Sequence, residues 1–219
     1  MKKTITTIAV TSLLAASAIS FQASATEGLS ANVAATNNYL WRGLEQTGGD
    51  AAVSGGIDYA SDSGFYTGTW VSNAWGGTEL DLYAGFGADI NESMSYDVGF
   101  IYFAYPDADD ADFSEIYGSF TFTGLTVGVA ILASASLDDI DAGDSIYVNA
   151  DYALALGNEA EVNFHLGNYS GDFSTDSTDF GVSISKDNFT FGVSKTDYDD
   201  GGSSDDVKFY VGYSVDIDL

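Results

Sequence analysis

The chain has 219 residues, with 33 Asp and Glu against 6 Lys and Arg, a formal charge of −27 and a pI near 4.1. A field that negative repels phosphate backbones and excludes nucleic acid as a partner. The absence of Cys removes disulfides, thiolate metal sites and cysteine nucleophiles. The 14 Tyr, 14 Phe and 3 Trp are out of keeping with an acidic disordered chain.

Lys2 and Lys3 precede an apolar run from Ile8 to Ile19, and Ala23-Ser24-Ala25 supplies small residues at the positions a signal peptidase reads. Residues 1–25 therefore read as a secretory signal peptide, and the mature chain, residues 26–219, starts at Thr26. The apolar run is shorter than the roughly 20 residues a spanning helix needs. Only Arg42, Lys186, Lys195 and Lys208 then remain basic. No later apolar run is long enough for a spanning helix, so a return to a membrane requires strands.

From there the chain reads as strands. Leu29–Tyr39, Ala51–Tyr59 and Phe65–Asn73 are the first three. Leu80, Leu82, Ala84 and Phe86 then alternate with Asp81, Tyr83, Gly85 and Gly87. The runs Tyr96 to Tyr105 and Phe113 to Thr123 are apolar on both faces, which leaves their register open. Period two returns at Leu125-Val127-Val129-Ile131, at Ile146-Val148-Ala150-Tyr152 and at Val162-Phe164-Leu166. Phe180-Val182-Ile184 and Phe189-Phe191-Val193 flank Asp187-Asn188, a hairpin signal. The last strand, Phe209 to Leu219, alternates to the final residue. These make twelve strands. Short connections follow the even ones, and longer polar connections follow most of the odd ones. With aromatics near strand ends, the pattern predicts an all-β fold, a transmembrane antiparallel up-and-down barrel, over a soluble sandwich.

Taking the apolar parity as lipid-facing turns Asp58, Asp81, Asp151 and Glu161 inward, joined by Asp97, Glu115 and Lys208. Carboxylates around a narrow aqueous path favour cations. With one Arg and three Lys they cannot all be neutralised, which argues for water inside; a plugged interior, with the carboxylates paired to Arg42 or Lys208, is the alternative. The acidic loops (Asp107, Asp109, Asp110, Asp112; Asp138, Asp139, Asp141, Asp144; Asp197, Asp199, Asp200, Asp205, Asp206) form no complete calcium loop. They read as a solvated rim that divalent cations could bridge to anionic head groups. His165 is the single histidine, on the inward parity with Glu161 and Asn163, and no nucleophile elbow or cofactor motif accompanies it. The chain is not expected to be an enzyme or to carry a metal or cofactor.

The run Asn38-Tyr39-Leu40-Trp41-Arg42-Gly43-Leu44-Glu45-Gln46-Thr47 resembles the Tyr-x-x-Arg-Gly-x-x-Gln-Thr opening of the TorF-like porin family, with Tyr39, Arg42, Gly43, Gln46 and Thr47 as the matched positions. Further blocks agree in order through Tyr105-Pro106, so residues 38–106 carry the resemblance. It implies an outer-membrane barrel of a Gram-negative bacterium and supplies no substrate. Two functions follow: a porin passing small cationic or neutral solutes, or a closed barrel serving as an adhesin or structural protein. In either case lipid surrounds the wall.

Overall fold

The computed structural model describes residues 28–199 and 206–219. The signal peptide and Thr26 lie outside the described residues, as do Asp200 and Asp205. The strands are β1 (Leu29–Thr36), β2 (Leu40–Trp41), β3 (Leu44–Glu45), β4 (Ala52–Ala60), β5 (Phe65–Ala74), β6 (Gly77–Asn91) and β7 (Met94–Ala104), then β8 (Phe113–Phe122), β9 (Leu125–Ala135), β10 (Ser145–Ala155), β11 (Glu161–Gly171), β12 (Ser177–Lys186), β13 (Phe189–Tyr198) and β14 (Lys208–Asp218). The twelve longer strands pair antiparallel around one ring, in which β1 joins both β4 and β14, while β2 and β3 pair antiparallel only with each other. The result is a closed twelve-strand barrel with no free edge. No helix occurs among the described residues.

Period-two alternation produces two different walls. Val33, Ile57, Leu82, Phe100, Val148 and Phe191 stand exposed on the outside. Phe65, Phe86, Phe122, Tyr152, Phe189 and Tyr213 form an outward aromatic band near the short turns, where a membrane barrel places its interfacial girdle. The short turns include residues 92–93, 123–124 and 187–188, and the longer loops sit at the opposite end.

On the inner wall, tyrosines lie across glycines. Tyr66 is paired across strands with Gly85, Tyr83 with Gly68, Tyr117 with Gly99 and Tyr210 with Gly192. A Cβ on Gly99 would come within 2.4 Å of the Tyr117 ring, and one on Gly192 within 2.1 Å of Tyr210. At these four positions the two residue types occur together for one reason. Glycine leaves a hollow in the wall, and the cross-strand ring fills it while its hydroxyl stays available to the interior.

The first strand ends at Thr36, short of the expected Tyr39, because the chain turns inward there. Residues 40–45 form a separate hairpin, with Leu40 opposite Glu45 and Trp41 opposite Leu44. The hairpin lies inside the barrel: Tyr39, Leu40, Trp41 and Arg42 are all buried. Trp41 packs edge-on against Phe103 (6.1 Å) and Phe113 (5.8 Å), which stack on each other at 4.3 Å. The two-faced apolarity of β7 and β8 is thereby resolved. Val98, Phe100 and Ile116 face outward, while Ile101, Phe103 and Phe113 face the hairpin.

Candidate functional site

The hairpin tip is Arg42-Gly43, with φ of 50° and 75°. Both residues are left-handed, as a two-residue type I′ turn requires. Gly43 is further constrained by contact, since a Cβ there would meet Thr196 Oγ1 at 2.2 Å and Asp179 Cβ at 2.8 Å. The Thr196 hydroxyl donates to the Gly43 carbonyl at 3.0 Å. Arg42 donates from both terminal nitrogens to Glu115, at 2.8 and 2.6 Å. Its guanidinium lies 4.2 Å from the Trp41 ring centre and 4.4 Å from that of Tyr147. This is a buried bidentate pair with aromatic cover, a geometry that suits arginine and not lysine.

On the other side of the hairpin, Tyr39 and Tyr105 donate to the two oxygens of Glu79, at 2.9 and 3.1 Å. Burial, then the charges of Glu79 and Asp81, push both phenols well above their ordinary range, so both remain protonated donors. Asp81 lies two residues further along β6 on the same inward face, flanked across the sheet by Trp70 and Phe103. It is fully buried, and neither of its carboxylate oxygens has a hydrogen-bond partner.

Towards the short turns, Asp58 accepts from Tyr83 and from Asn32 (3.1 Å), and Asp97 accepts from Tyr66 at 2.8 Å. Tyr66 is also joined to Tyr117 through their hydroxyls at 2.7 Å. Across the lumen, His165 bridges Asp151 through Nδ1 (2.9 Å) and Asp179 through Nε2 (2.8 Å), and Tyr147 Oη lies 2.9 Å from the same Nε2. Asn149 and Asn163 complete the Asp151 shell. Beside Tyr39 and Trp70 a cavity of about 30 Å³ remains, lined by small residues including Ala34, Ser54, Ser72, Gly212 and Ser214. That is room enough for water.

Of the residues expected to line a lumen, Asp58, Asp81, Asp97, Glu115 and Lys208 are buried inside and Asp151 is half-buried. Glu161, the first residue of β11, is exposed at the rim carrying the short turns. Phenols, amides and the His165 imidazole meet part of the expected shortage of partners for these carboxylates, Arg42 takes Glu115 alone, and Asp81 is left without a partner. Glu79 and Asp179 belong to the same inner set and are absent from the sequence-based one. Each stands two residues from an inward position in an alternating strand, so parity extended by one step reaches both.

In the loops, Asp112 accepts from Tyr102 and from the Tyr105 amide, and Asp107 accepts from the Thr78 amide, so part of the acidity serves turn geometry. Among the described residues no three acidic or histidine side chains gather in a way that would hold a metal ion.

Residues 20–217 match the profile of a family described as a bacterial protein of unknown function (Gcw_chp). The chain belongs to the Gcw_chp family. No curated protein matches the sequence of this Gcw_chp chain. Among solved structures it is similar to the KdgM porin, at TM-score 0.55 and 11% identity over 87% of this chain and 99% of that one. It is also similar to the KdgM porin in complex with disordered oligogalacturonate, at TM-score 0.52 and 10% identity over 87% and 98% of the two chains. The NanC porin follows at TM-score 0.47 and 7% identity, covering 87% and 100%. At such identities the KdgM likeness is one of fold, and the shared fold is a porin-like barrel.

Proposed function

We propose that this Gcw_chp protein is an outer-membrane channel of a Gram-negative bacterium for small cationic or neutral solutes. Residues 1–25 act as the export signal and the mature chain starts at Thr26. The TorF-like resemblance of residues 38–106 forms part of the same proposal. The observation that carries it is a closed barrel with an apolar outer wall around an interior whose ionisable groups are mostly carboxylates: Asp58, Glu79, Asp81, Asp97, Glu115, Asp151 and Asp179. Such an interior disfavours a polyanion like the oligogalacturonate present with KdgM, so a shared fold does not carry a shared cargo. The hairpin occupies part of the barrel interior, so the proposed solutes are small. The short turns face the periplasm and the longer acidic loops face outward, where divalent cations can bridge them to anionic head groups.

Planar-bilayer recording under a salt gradient tests this proposal. A reversal potential of cation-selective sign is expected, and absent conductance or anion selectivity would refute it. A closed surface barrel is the second reading, favoured by the packing of Trp41 on Phe103 and Phe113. Silence both in the wild type and in variants with a displaced hairpin would establish that reading in its place.

A further inference from the structure

We infer that Glu79 and Asp81 form a binding site for a weakly hydrated monovalent cation, an alkali ion or an ammonium, held between the hairpin and the β5–β7 wall. Two buried carboxylates sit at i and i+2 on one face of β6. Glu79 receives two phenolic hydrogen bonds, whereas Asp81, at 0% exposure, receives none at either oxygen. A buried charge without a partner is costly to maintain, and the remedy is a counter-charge. Among the described residues no cationic side chain is recorded against the pair: Arg42 is engaged at Glu115, and the residues around the pair are Tyr39, Trp70, Tyr83, Phe103 and Tyr105.

The donor set selects the ion class. No third acidic or histidine side chain joins the pair among the described residues, so calcium would lack its six to eight oxygens. Carboxylates in aromatic surroundings suit a cation that sheds water readily, such as potassium, rubidium or ammonium. A small cavity bounded by Tyr39, Trp70 and Ser72 lies on the neighbouring strands, Ser72 being the cross-strand partner of Glu79 and Trp70 that of Asp81. The inference deepens the channel proposal by naming where the passing cation rests, and it is separable from that proposal because binding requires no conduction.

The test is equilibrium binding of radioactive rubidium to the full chain in lipid vesicles. Saturable binding of one ion per barrel is expected, displaced by potassium and ammonium but not by N-methyl-D-glucamine. Asp81→Asn should weaken it about tenfold or more, the scale of losing a charge-assisted partner. Asp62→Asn, exposed in a short turn, should leave it unchanged. Should Asp81→Asn fail to fold, Glu79→Gln tests the other half of the pair in the same assay. Absence of saturable binding overturns the inference, as does equal affinity in the folded variants. So does an infrared carboxylic-acid band in the wild type that Asp81→Asn abolishes, since a proton then occupies the ion's place. Rubidium binding without bilayer conductance would retain the site and remove the channel; conductance without binding would do the reverse.

Discussion

Replacing Arg42 by alanine strips the hairpin tip of its anchor, and the structure sets the size of the effect. Arg42 is 2% exposed and Glu115 3%, so truncation strands the Glu115 carboxylate in a dry interior. Breaking a buried pair in this way costs roughly 3–5 kcal/mol. The lost contacts to Trp41 and Tyr147 act in the same direction, at about 0.5–2 kcal/mol each. At about 1.4 kcal/mol per decade, loss of the ion pair alone raises the undocked fraction of the hairpin roughly a hundredfold to a few thousandfold. Because the chain has no cysteine, Leu40→Cys places a unique thiol on a hairpin residue that is 1% exposed when docked. Maleimide labelling of that thiol in vesicles should accelerate by the same factor in the Arg42→Ala background, and bilayer conductance should rise with it. Adding Glu115→Gln should recover part of the docking, because the stranded charge is then gone. Equal labelling rates with and without Arg42 would refute the anchoring role.

Gly43→Ala should undock the hairpin about as strongly as loss of Arg42, because left-handed φ and contact with Thr196 and Asp179 both oppose a Cβ; the same thiol-labelling assay reads it. Gly192→Ala should lower barrel stability by roughly 1–3 kcal/mol through collision with Tyr210. Tyr210→Ser in the same chain should remove most of that penalty, as measured by the urea midpoint in vesicles. Docking should also depend on pH through Tyr39 and Tyr105. Their folded-state values are raised, so their contribution is complete below the ordinary phenol pKa of about 10 and is lost as pH rises towards the folded values. Labelling at Cys-substituted position 40, corrected for thiolate fraction, should stay flat from about pH 7 to 9 and climb only above about 10.

The barrel was legible because its signal is local. Alternation such as Leu80-Leu82-Ala84-Phe86 against Asp81-Tyr83-Gly85-Gly87 needs no knowledge of neighbouring strands, and short turns such as Asp187-Asn188 punctuate it. The hairpin was not legible, because Leu40-Trp41 and Leu44 look like an overrunning strand followed by a loop. Its trace lay elsewhere, in the inner faces of β7 and β8. Ile101, Phe103 and Phe113 are apolar where a watery lumen would want polar groups, and such a face demands an apolar object inside the barrel. The partners of the carboxylates were illegible for a different reason. Phenol and acid meet across strands or the lumen, at separations such as Tyr39 to Glu79 and Tyr66 to Asp97, which only closure and register determine.

That pairing chemistry changes what the acidity means. A phenol donates one proton and carries no charge, so it can satisfy a carboxylate oxygen without cancelling its field. Glu79 has two such donors, Asp58 has Tyr83 and Asn32, and Asp97 has Tyr66 at one oxygen with the other unpartnered. Asp81 has none. The barrel therefore stays acidic after its hydrogen bonds are made, and the residual demand for a counter-ion rises from Asp58 through Asp97 to Asp81. Neutralising Asp97 should accordingly change ion affinity less than neutralising Asp81, although both are buried aspartates on the same inner wall.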